Sequence, residues 1–161
     1  MRGWDYKLSF KRKRSASSKK QLPDPSQALG MSMLRAREVL VSPIRSVLRA
    51  HNLTDQQWRI LRVLSAESPL SPTVLADKTV ILLPSLTRIV GDMERRGLLK
   101  KVKVEKIGRP RISIAQSGVA LVDSVHPKVF QKQKPIRDRI GERNIHLLLK
   151  ILQHIEAAAR D

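Results

Sequence analysis

The chain has 161 residues, 41% of them hydrophobic, which is enough for one globular domain with a sizeable core. Its formal net charge is +18, from 32 lysines and arginines against 14 acidic residues. Such an excess opposes compaction unless a polyanion offsets it, so nucleic acid is the leading partner, ahead of an anionic membrane surface. The absence of cysteine excludes disulfides and thiol chemistry and fits a reducing cytoplasm.

The sequence carries no signal for a membrane span or for secretion. No apolar run approaches the roughly 18 residues that a spanning helix needs. The N-terminus has charges but lacks the apolar segment of a secretory signal. We therefore expect a cytoplasmic protein with no membrane partner.

The sequence also argues against an enzyme. It contains no Gly-rich phosphate loop and no nucleophile motif. None of its histidines stands in a metal-ligand spacing with carboxylates; they are His51, His126, His146 and His154. We therefore expect no catalytic residue, no metal and no cofactor.

Residues 1–26 form a basic, serine-rich tail with two clusters of lysine and arginine, Lys11–Arg14 and Lys19–Lys20. Segments of this kind are usually disordered and often touch nucleic acid nonspecifically. A plain solubilising tail and a misassigned start codon are the alternatives.

Residues 27–51 have the periodicity of a helix. The apolar positions recur every three to four residues at Met33, Leu40, Ile44 and Val47. Pro43 should kink or interrupt this helix. Arg37 and His51 lie on the same stripe without being apolar, and a buried guanidinium there requires an anionic partner. That partner is either a protein carboxylate, such as Glu38 or an acid of another subunit, or the carboxylate of a ligand.

Two helices with start signals follow. Thr54 and Gln57 make a capping box for a helix over residues 54–66, which turns Trp58 inward. Ser71 and Pro72 provide the N-cap and the first position of the next helix. Thr73, at the start of this second helix, should contact phosphate.

The helix that begins near Pro84 and ends before Gly97 is the centre of the prediction. One face is apolar, with Leu86, Ile89, Val90 and Met93 at the spacing of a buried stripe. The other positions carry Ser85, Thr87, Arg88, Asp92 and Arg95. Hydroxyls and an arginine at the N-terminus of an exposed helix reach base edges and phosphates in the major groove. The alternative is an ordinary amphipathic helix with a solvated charged face.

After Gly97 the chain alternates up to Glu105, turns at Ile107-Gly108 and returns from Arg111 to Ala115, which predicts a hairpin with a basic tip. The tip places Lys106, Arg109 and Arg111 around Pro110. An extended Arg-Pro-Arg is slim enough for the minor groove, which is about 6 Å wide, and A·T-rich grooves attract inserted arginine. A solvated basic loop is the alternative.

The C-terminal part is predicted as a helix over residues 117–126, a stretch made irregular by Pro127 and Pro135, and a final helix over about 138–159. The last helix carries a wide apolar band at Ile145, Leu148, Leu149, Ile151, Leu152 and Ile155. This band either caps its own core or forms a subunit interface. We favour the interface, because the first and last helices have more apolar face than one small domain covers.

This order of elements, a helix, a helix-turn-helix, a hairpin and a long terminal helix, is that of a winged-helix protein. The segments Leu53–Leu64, Pro84–Ile89 and Met93–Leu98 resemble the MarR family of transcriptional regulators. Within that family they are most similar to the homoprotocatechuate-operon repressors and their relatives in aromatic-acid catabolism. Arg37-Glu38, Arg45 and the segment from His51 to Thr54 also resemble that branch, and the likeness covers about residues 29–160.

Two positions depart from the family pattern. The wing usually holds an Asp before an Arg, but Val104 or Glu105 falls near that place, which leaves the bracing of the wing in doubt. Ala115 replaces the Thr that normally caps the next helix, and Ser117 is a candidate substitute.

The resemblance implies a mainly α fold with a small β-hairpin wing, a winged helix-turn-helix flanked by N- and C-terminal dimerisation helices. The expected parts are the tail 1–26, a dimerisation helix 27–53, a DNA-binding domain 54–116 and dimerisation helices 117–161. The expected protein is a bacterial, cytoplasmic repressor, nucleoid-associated when bound to DNA. A basic architectural or RNA-associated winged-helix protein without an effector is the alternative.

The candidate site residues fall into three groups. For double-stranded DNA with a pseudo-palindromic operator they are Ser71, Thr73, Pro84, Ser85, Thr87, Arg88 and Arg95, with Lys106, Arg109 and Arg111 in the wing. For a small aromatic acid effector, whose binding lowers DNA affinity in the family, they are Arg37, Arg45, His51 and Trp58. For the homodimer interface they are Met33, Leu40, Leu148, Leu152 and Ile155.

Overall fold

A computed structural model describes residues 28–103 and 110–158. In chain order the elements are α1 (Leu29–Val41), a 3₁₀ turn (Ser42–Ile44), α2 (Arg45–Ala50), α3 (Asp55–Ala66), α4 (Pro72–Thr79), α5 (Leu83–Arg95), β1 (Leu99–Lys103), β2 (Pro110–Ile114), α6 (Gln116–Ile140) and α7 (Glu142–Ala158). This mainly α architecture with one hairpin confirms the predicted fold class. The contacts divide the chain between Arg35 and Ala36, and the core and the helix-turn-helix belong to the unit that begins at Ala36.

The core lies where α3, α4, α5, the hairpin and α6 meet. Its fully buried side chains include Ile60, Leu61, Leu64, Leu75, Leu86, Met93 and Val125. Gly118 lets α6 approach the end of α5, because a Cβ at this position would lie 2.3 Å from the carbonyl oxygen of Leu98. The α5 helix is thus packed on one side by the rest of the domain.

The local signals at the helix ends are confirmed. The Gln57 backbone N–H donates to Thr54 Oγ1 over 3.2 Å, and Thr54 N–H donates to Gln57 Oε1 over 3.0 Å, which completes the capping box. Ser71 Oγ accepts from Val74 N–H over 3.3 Å at the start of α4. Gly97, just past α5, has the left-handed φ of 71° that glycine favours. The interruption predicted at Pro43 is the 3₁₀ turn between α1 and α2.

The prediction for the region of Pro127 and Pro135 is wrong, because α6 runs through both prolines from Gln116 to Ile140. A proline leaves the carbonyl four residues earlier without its helical donor. In α6 both prolines, and the residues Asp123 and Gln131 that precede them by four, face solvent, where water can satisfy that carbonyl. The buried Val122, Val125 and Val129 hold the opposite side of the helix against the core.

The last helix also begins later than predicted, at Glu142 rather than near 138. Gly141, with φ 81°, ends α6 and separates the two helices. The suggested capping role of Ser117 is wrong as well. Ala115 caps α6 without a side-chain bond, and Ser117 Oγ donates instead to the carbonyl of Gly97 over 2.5 Å. Ser117 therefore ties the start of α6 to the end of α5.

The hairpin is confirmed as an antiparallel pair, with Leu99 opposite Ile114 and Lys103 opposite Pro110. Leu70 bridges to Ile112, which anchors β2 to the chain ahead of α4. The basic tail 1–26, the wing tip and the positions Val104 and Glu105 lie outside the described residues. Among the described helices, none has the length and apolar character to cross a bilayer.

Candidate nucleic-acid interface

The α5 helix has the predicted division of faces. Leu86, Ile89, Val90 and Met93 are buried. Pro84, Thr87, Arg88 and Arg95 are exposed, and Ser85 is half-buried. Thr87 Oγ1 donates its proton to the carbonyl of Leu83 over 3.0 Å, so its hydroxyl remains free only to accept. Arg95 pairs with Asp92 over 3.1 Å, one turn earlier on the helix.

The turn between α4 and α5 is fixed by contacts that the sequence analysis missed. Val80 adopts a left-handed backbone with φ 52°. Arg59 Nη1 donates to the carbonyl of Thr79 over 2.6 Å and to that of Val80 over 3.4 Å. Ile81 is buried, and its N–H donates to the carbonyl of Ala76. The position of α5 therefore depends on an arginine of α3, at a distance along the chain that no local pattern indicates.

The predicted supporting residues of α4 and the wing have different environments. The Ser71 hydroxyl oxygen accepts the capping bond, which leaves its proton free to donate, and Thr73 is exposed. Arg111 is half-buried, and its Nη1 donates to the carbonyl of Pro69 over 3.4 Å. Lys106 and Arg109 lie outside the described residues. Arg111 thus lies on β2 near the tip end of the hairpin, and it contacts the chain ahead of α4.

The two arginines proposed for an effector each have a protein carboxylate. Arg37 Nη2 lies 2.7 Å from Asp55 Oδ2, and Arg45 binds Glu38 with two bonds of 2.5 and 2.8 Å. The expectation that Arg37 is a buried charge is wrong, because its side chain is 47% exposed. Its protein partner is Asp55, whereas Glu38, the suggested one, pairs with Arg45. The hydrogen bond from Arg45 lowers the pKa of Glu38 below its ordinary value.

His51 and Trp58 occupy separate surroundings. His51 Nδ1 lies 2.8 Å from the carbonyl oxygen of Val47, and Nε2 lies 3.0 Å from Lys128 Nζ. Trp58 is only 4% exposed and is covered by the Arg62 guanidinium, 5.8 Å from the ring centroid. This distance is within the range of a cation–π contact.

A groove of about 470 Å³ lies between α3 and α6. Its walls are Arg62, Ser65 and Ala66 of α3 and Val122, Asp123, His126 and Pro127 of α6. No sequence pattern predicted this groove, although Arg62 follows Trp58 by four residues and so shares its face of α3. Its walls carry two basic side chains, Arg62 and His126, and one carboxylate, Asp123. In residues 28–103 and 110–158, no three histidine or acidic side chains converge as a metal site would require.

Comparison with known proteins agrees with this geometry. The model of the MarR family matches residues 51–110. The homoprotocatechuate degradative operon repressor of Escherichia coli is 32% identical over 131 residues, which cover 81% of this chain and 88% of that protein. The transcriptional regulator FarR of Neisseria gonorrhoeae is 30% identical over 129 residues, which cover 80% and 88%.

A solved structure has the same fold. The crystal structure of NadR in complex with 4-hydroxyphenylacetate superposes with a TM-score of 0.75 at 28% identity, covering 88% of this chain and 97% of NadR. The resemblance drawn from the helix-turn-helix residues is therefore confirmed, and this chain belongs to the MarR family of transcriptional regulators.

Proposed function

We propose that this chain is a sequence-specific DNA-binding repressor that a small aromatic carboxylate releases from its operator. The main support for the proposal is the division of α5 into two faces. One face is buried in the core, and the other exposes Thr87 and Arg88. Arg88 is free to donate two bonds to a guanine, and the Thr87 hydroxyl can accept from an amino group of cytosine or adenine. The E. coli relative, named as an operon repressor, supports this assignment.

Selection of binding sites from random double-stranded DNA tests the first half of the proposal. A repressor should select one pseudo-palindromic sequence and bind it far more tightly than random DNA at equal salt. Arg88→Ala should then cost roughly 1–3 kcal/mol on the selected site and relax the preference at one position per half-site. Arg139→Ala is the matched control, since it removes an equal charge from an exposed position on α6.

The same selection separates the alternative function. A basic architectural or RNA-associated protein would yield a flat preference, with affinity set by salt alone. Wild-type affinity and sequence preference in Arg88→Ala would show that α5 is not the reading helix.

The dimer part of the proposal is supported by the apolar surface of α7, in which no residue is buried. Leu148 and Ile155 are 47% and 37% exposed, and Leu152 lies between them on the same face. We infer that a second copy covers this face. Met33 and Leu40 of α1 remain proposed interface residues as well. Because more than half of each of these side chains is already covered, burial of the remainder would contribute roughly 0.5–1.5 kcal/mol per residue. The two-fold axis would place two α5 helices about one DNA turn apart.

Light scattering tests the dimer. Wild type should be a dimer at micromolar concentration, and Leu148→Glu or Leu152→Glu should give a folded monomer that loses operator affinity. Gln153→Glu adds the same charge away from the Leu148–Leu152 stripe and should remain dimeric. A monomeric wild type would reject this part of the proposal.

The effector part is supported by the arginines near α3. Arg37, Arg45, His51 and Trp58 remain the proposed residues, and the groove adds Arg62. A carboxylate ligand could replace Asp55 on Arg37 or bind Arg62 at the groove, with the aromatic ring of the ligand against the apolar wall. The complex of the related NadR with 4-hydroxyphenylacetate supports this class of ligand.

Calorimetry against 4-hydroxyphenylacetate, hydroxylated benzoates and nicotinates tests the effector. The bound acid should weaken operator binding by wild type. Loss of one charge-assisted pair costs roughly 1.5–3 kcal/mol, so Arg37→Ala or Arg62→Ala should weaken acid binding by at least tenfold. Arg49→Ala removes a nearby arginine as the control. No binding of any acid, or equal binding by every arginine variant, would reject the effector.

A further inference from the structure

The turn that leads into α5 exposes two apolar side chains that the core does not use. Val80 and Leu82 are 83% and 81% exposed, the highest values among the large hydrophobic residues of the described chain. Ile81, between them, is 6% exposed. The chain therefore anchors one residue of the turn in the core and directs its two neighbours into solvent.

This turn is held in place on both sides. Arg59 binds the carbonyl groups of Thr79 and Val80, and the Leu86 N–H donates to the carbonyl of Leu82 over 2.9 Å. Leu82 is the N-cap residue of α5 and offers no side-chain bond to the helix. An N-cap position strongly favours Ser, Thr, Asp or Asn, so a leucine here gives up capping. Because these bonds already hold the backbone of the turn, little backbone freedom is lost when Leu82 binds a surface.

Leu82 lies at the end of α5 that the proposed function directs into the major groove, three residues ahead of Ser85. The thymine C5-methyl is the one apolar group that base edges display in that groove. We propose that Leu82 packs on a thymine methyl in each operator half-site, with Val80 beside it, and so specifies thymine at a position that hydrogen bonds do not read. This inference rests on the proposed DNA-reading role of α5.

The surroundings favour DNA over a second protein as the occupant. Arg88 follows on α5 and has no ion-pair partner among the described residues. The net charge of +18 attracts a polyanion. An apolar N-terminal end on a helix that also exposes Arg88 matches a groove that offers both methyl groups and phosphates.

Uracil substitution tests the contact directly, because uracil keeps the pairing and groove hydrogen-bonding groups of thymine and lacks only the methyl. The probe is the operator selected from random DNA, with each thymine replaced in turn by deoxyuridine. Wild type should lose about fourfold in affinity per half-site at one position, as expected for one buried methyl. Leu82→Ala should bind the thymine operator more weakly and lose that discrimination, and its thermal midpoint should stay at the wild-type value.

The outcomes separate this inference from the function on which it rests. The contact is rejected if uracil lowers affinity at no thymine position, or if Leu82→Ala loses as much affinity on uracil substitution as wild type does. Neither result would contradict the proposed repressor function. Equal losses by Leu82→Ala on thymine and uracil operators would indicate a backbone or protein contact and also reject it. Failure to select any operator would reject the proposed function itself.

Discussion

Gln57 Nε2 donates a hydrogen bond to Asp92 Oδ2 over 3.2 Å, which joins the first turn of α3 to the last turn of α5. Gln57 is 8% exposed, and its Oε1 also accepts from Arg96 Nη1 over 3.4 Å. Arg96 in turn donates to the carbonyl of Asn52 over 2.9 Å. The helix proposed to read DNA is therefore joined to the start of α3, which carries Trp58 and Arg62 of the proposed effector site.

Asp92→Ala should destabilise the protein by about 1–3 kcal/mol, because it leaves the buried amide of Gln57 without an acceptor. Urea unfolding measures this loss. Asp77→Ala, at an exposed acidic position on α4, should remain within about 0.5 kcal/mol of wild type. If α3 and α5 are coupled through this bond, Asp92→Ala should also reduce the effect of the acid on operator binding. An unchanged free energy of unfolding would mean that the hydrogen bond from Gln57 to Asp92 does not stabilise the fold.

Alanine substitution at two glycines should change the free energy of unfolding in opposite directions. A Cβ at Gly118 would lie 2.3 Å from the Leu98 carbonyl oxygen and 2.8 Å from Ile114 Cγ1, whereas a Cβ at Gly91 meets nothing within 4 Å. Gly118→Ala should therefore cost about 1–3 kcal/mol as the hairpin and α6 move apart. Gly91→Ala should gain about 1 kcal/mol from helix propensity in α5. Thermal unfolding of the two variants measures these changes. A Gly118→Ala variant as stable as wild type would contradict the close packing of Gly118 on Leu98 and Ile114.

Features set by interactions within one helical turn could be predicted from the sequence, and features set by contacts between distant residues could not. Thr54 with Gln57, Ser71 with Pro72, and Gly97 act within one turn of chain, so their residue types alone predicted the helix ends. The continuity of α6 through Pro127 and Pro135 depends on which side of the helix faces solvent. That is a property of the packed domain, and propensity therefore gave the wrong answer there.

The candidate site divides in the same way. The apolar period of α5 predicted its exposed face, including Thr87 and Arg88. The partner of Arg37 is 18 residues away and the carbonyl that binds Arg59 is 20 residues away, and no local spacing specifies such pairs. The sequence shows that Leu82 is apolar but does not predict that it is exposed, because a leucine next to a buried residue such as Ile81 is more often part of the core.

The Glu38–Arg45 pair gives a prediction for acid conditions. The hydrogen bond from Arg45 lowers the pKa of Glu38, so the folded state binds this proton less readily than the unfolded chain does. The contribution of the pair to stability is therefore present above the ordinary pKa of glutamate and is lost as the pH falls through the lowered value. In a titration followed by carboxyl-carbon NMR, Arg45→Ala should raise the midpoint of Glu38. Arg49→Ala should leave it low, and an equal rise in both variants would show a general charge effect.

Val80 and Asn52 share one backbone conformation, with φ 52° and 53°, but carry side chains that tolerate it very differently. A left-handed backbone is strained for a β-branched residue and acceptable for asparagine, and such strain costs on the order of 1–3 kcal/mol. Because the Val80 side chain is 83% exposed, burial does not offset that cost.

Val80→Asn should therefore raise the free energy of unfolding by about 1 kcal/mol, and Asn52→Val should lower it by a similar amount. If Val80 assists Leu82 at the operator, the stabilised Val80→Asn variant should bind DNA more weakly, so that stability and affinity change in opposite directions. Chemical unfolding measures the free energy of unfolding, and anisotropy titration of the same preparations measures DNA affinity. An unchanged free energy of unfolding in Val80→Asn would show that the left-handed backbone at Val80 is not strained.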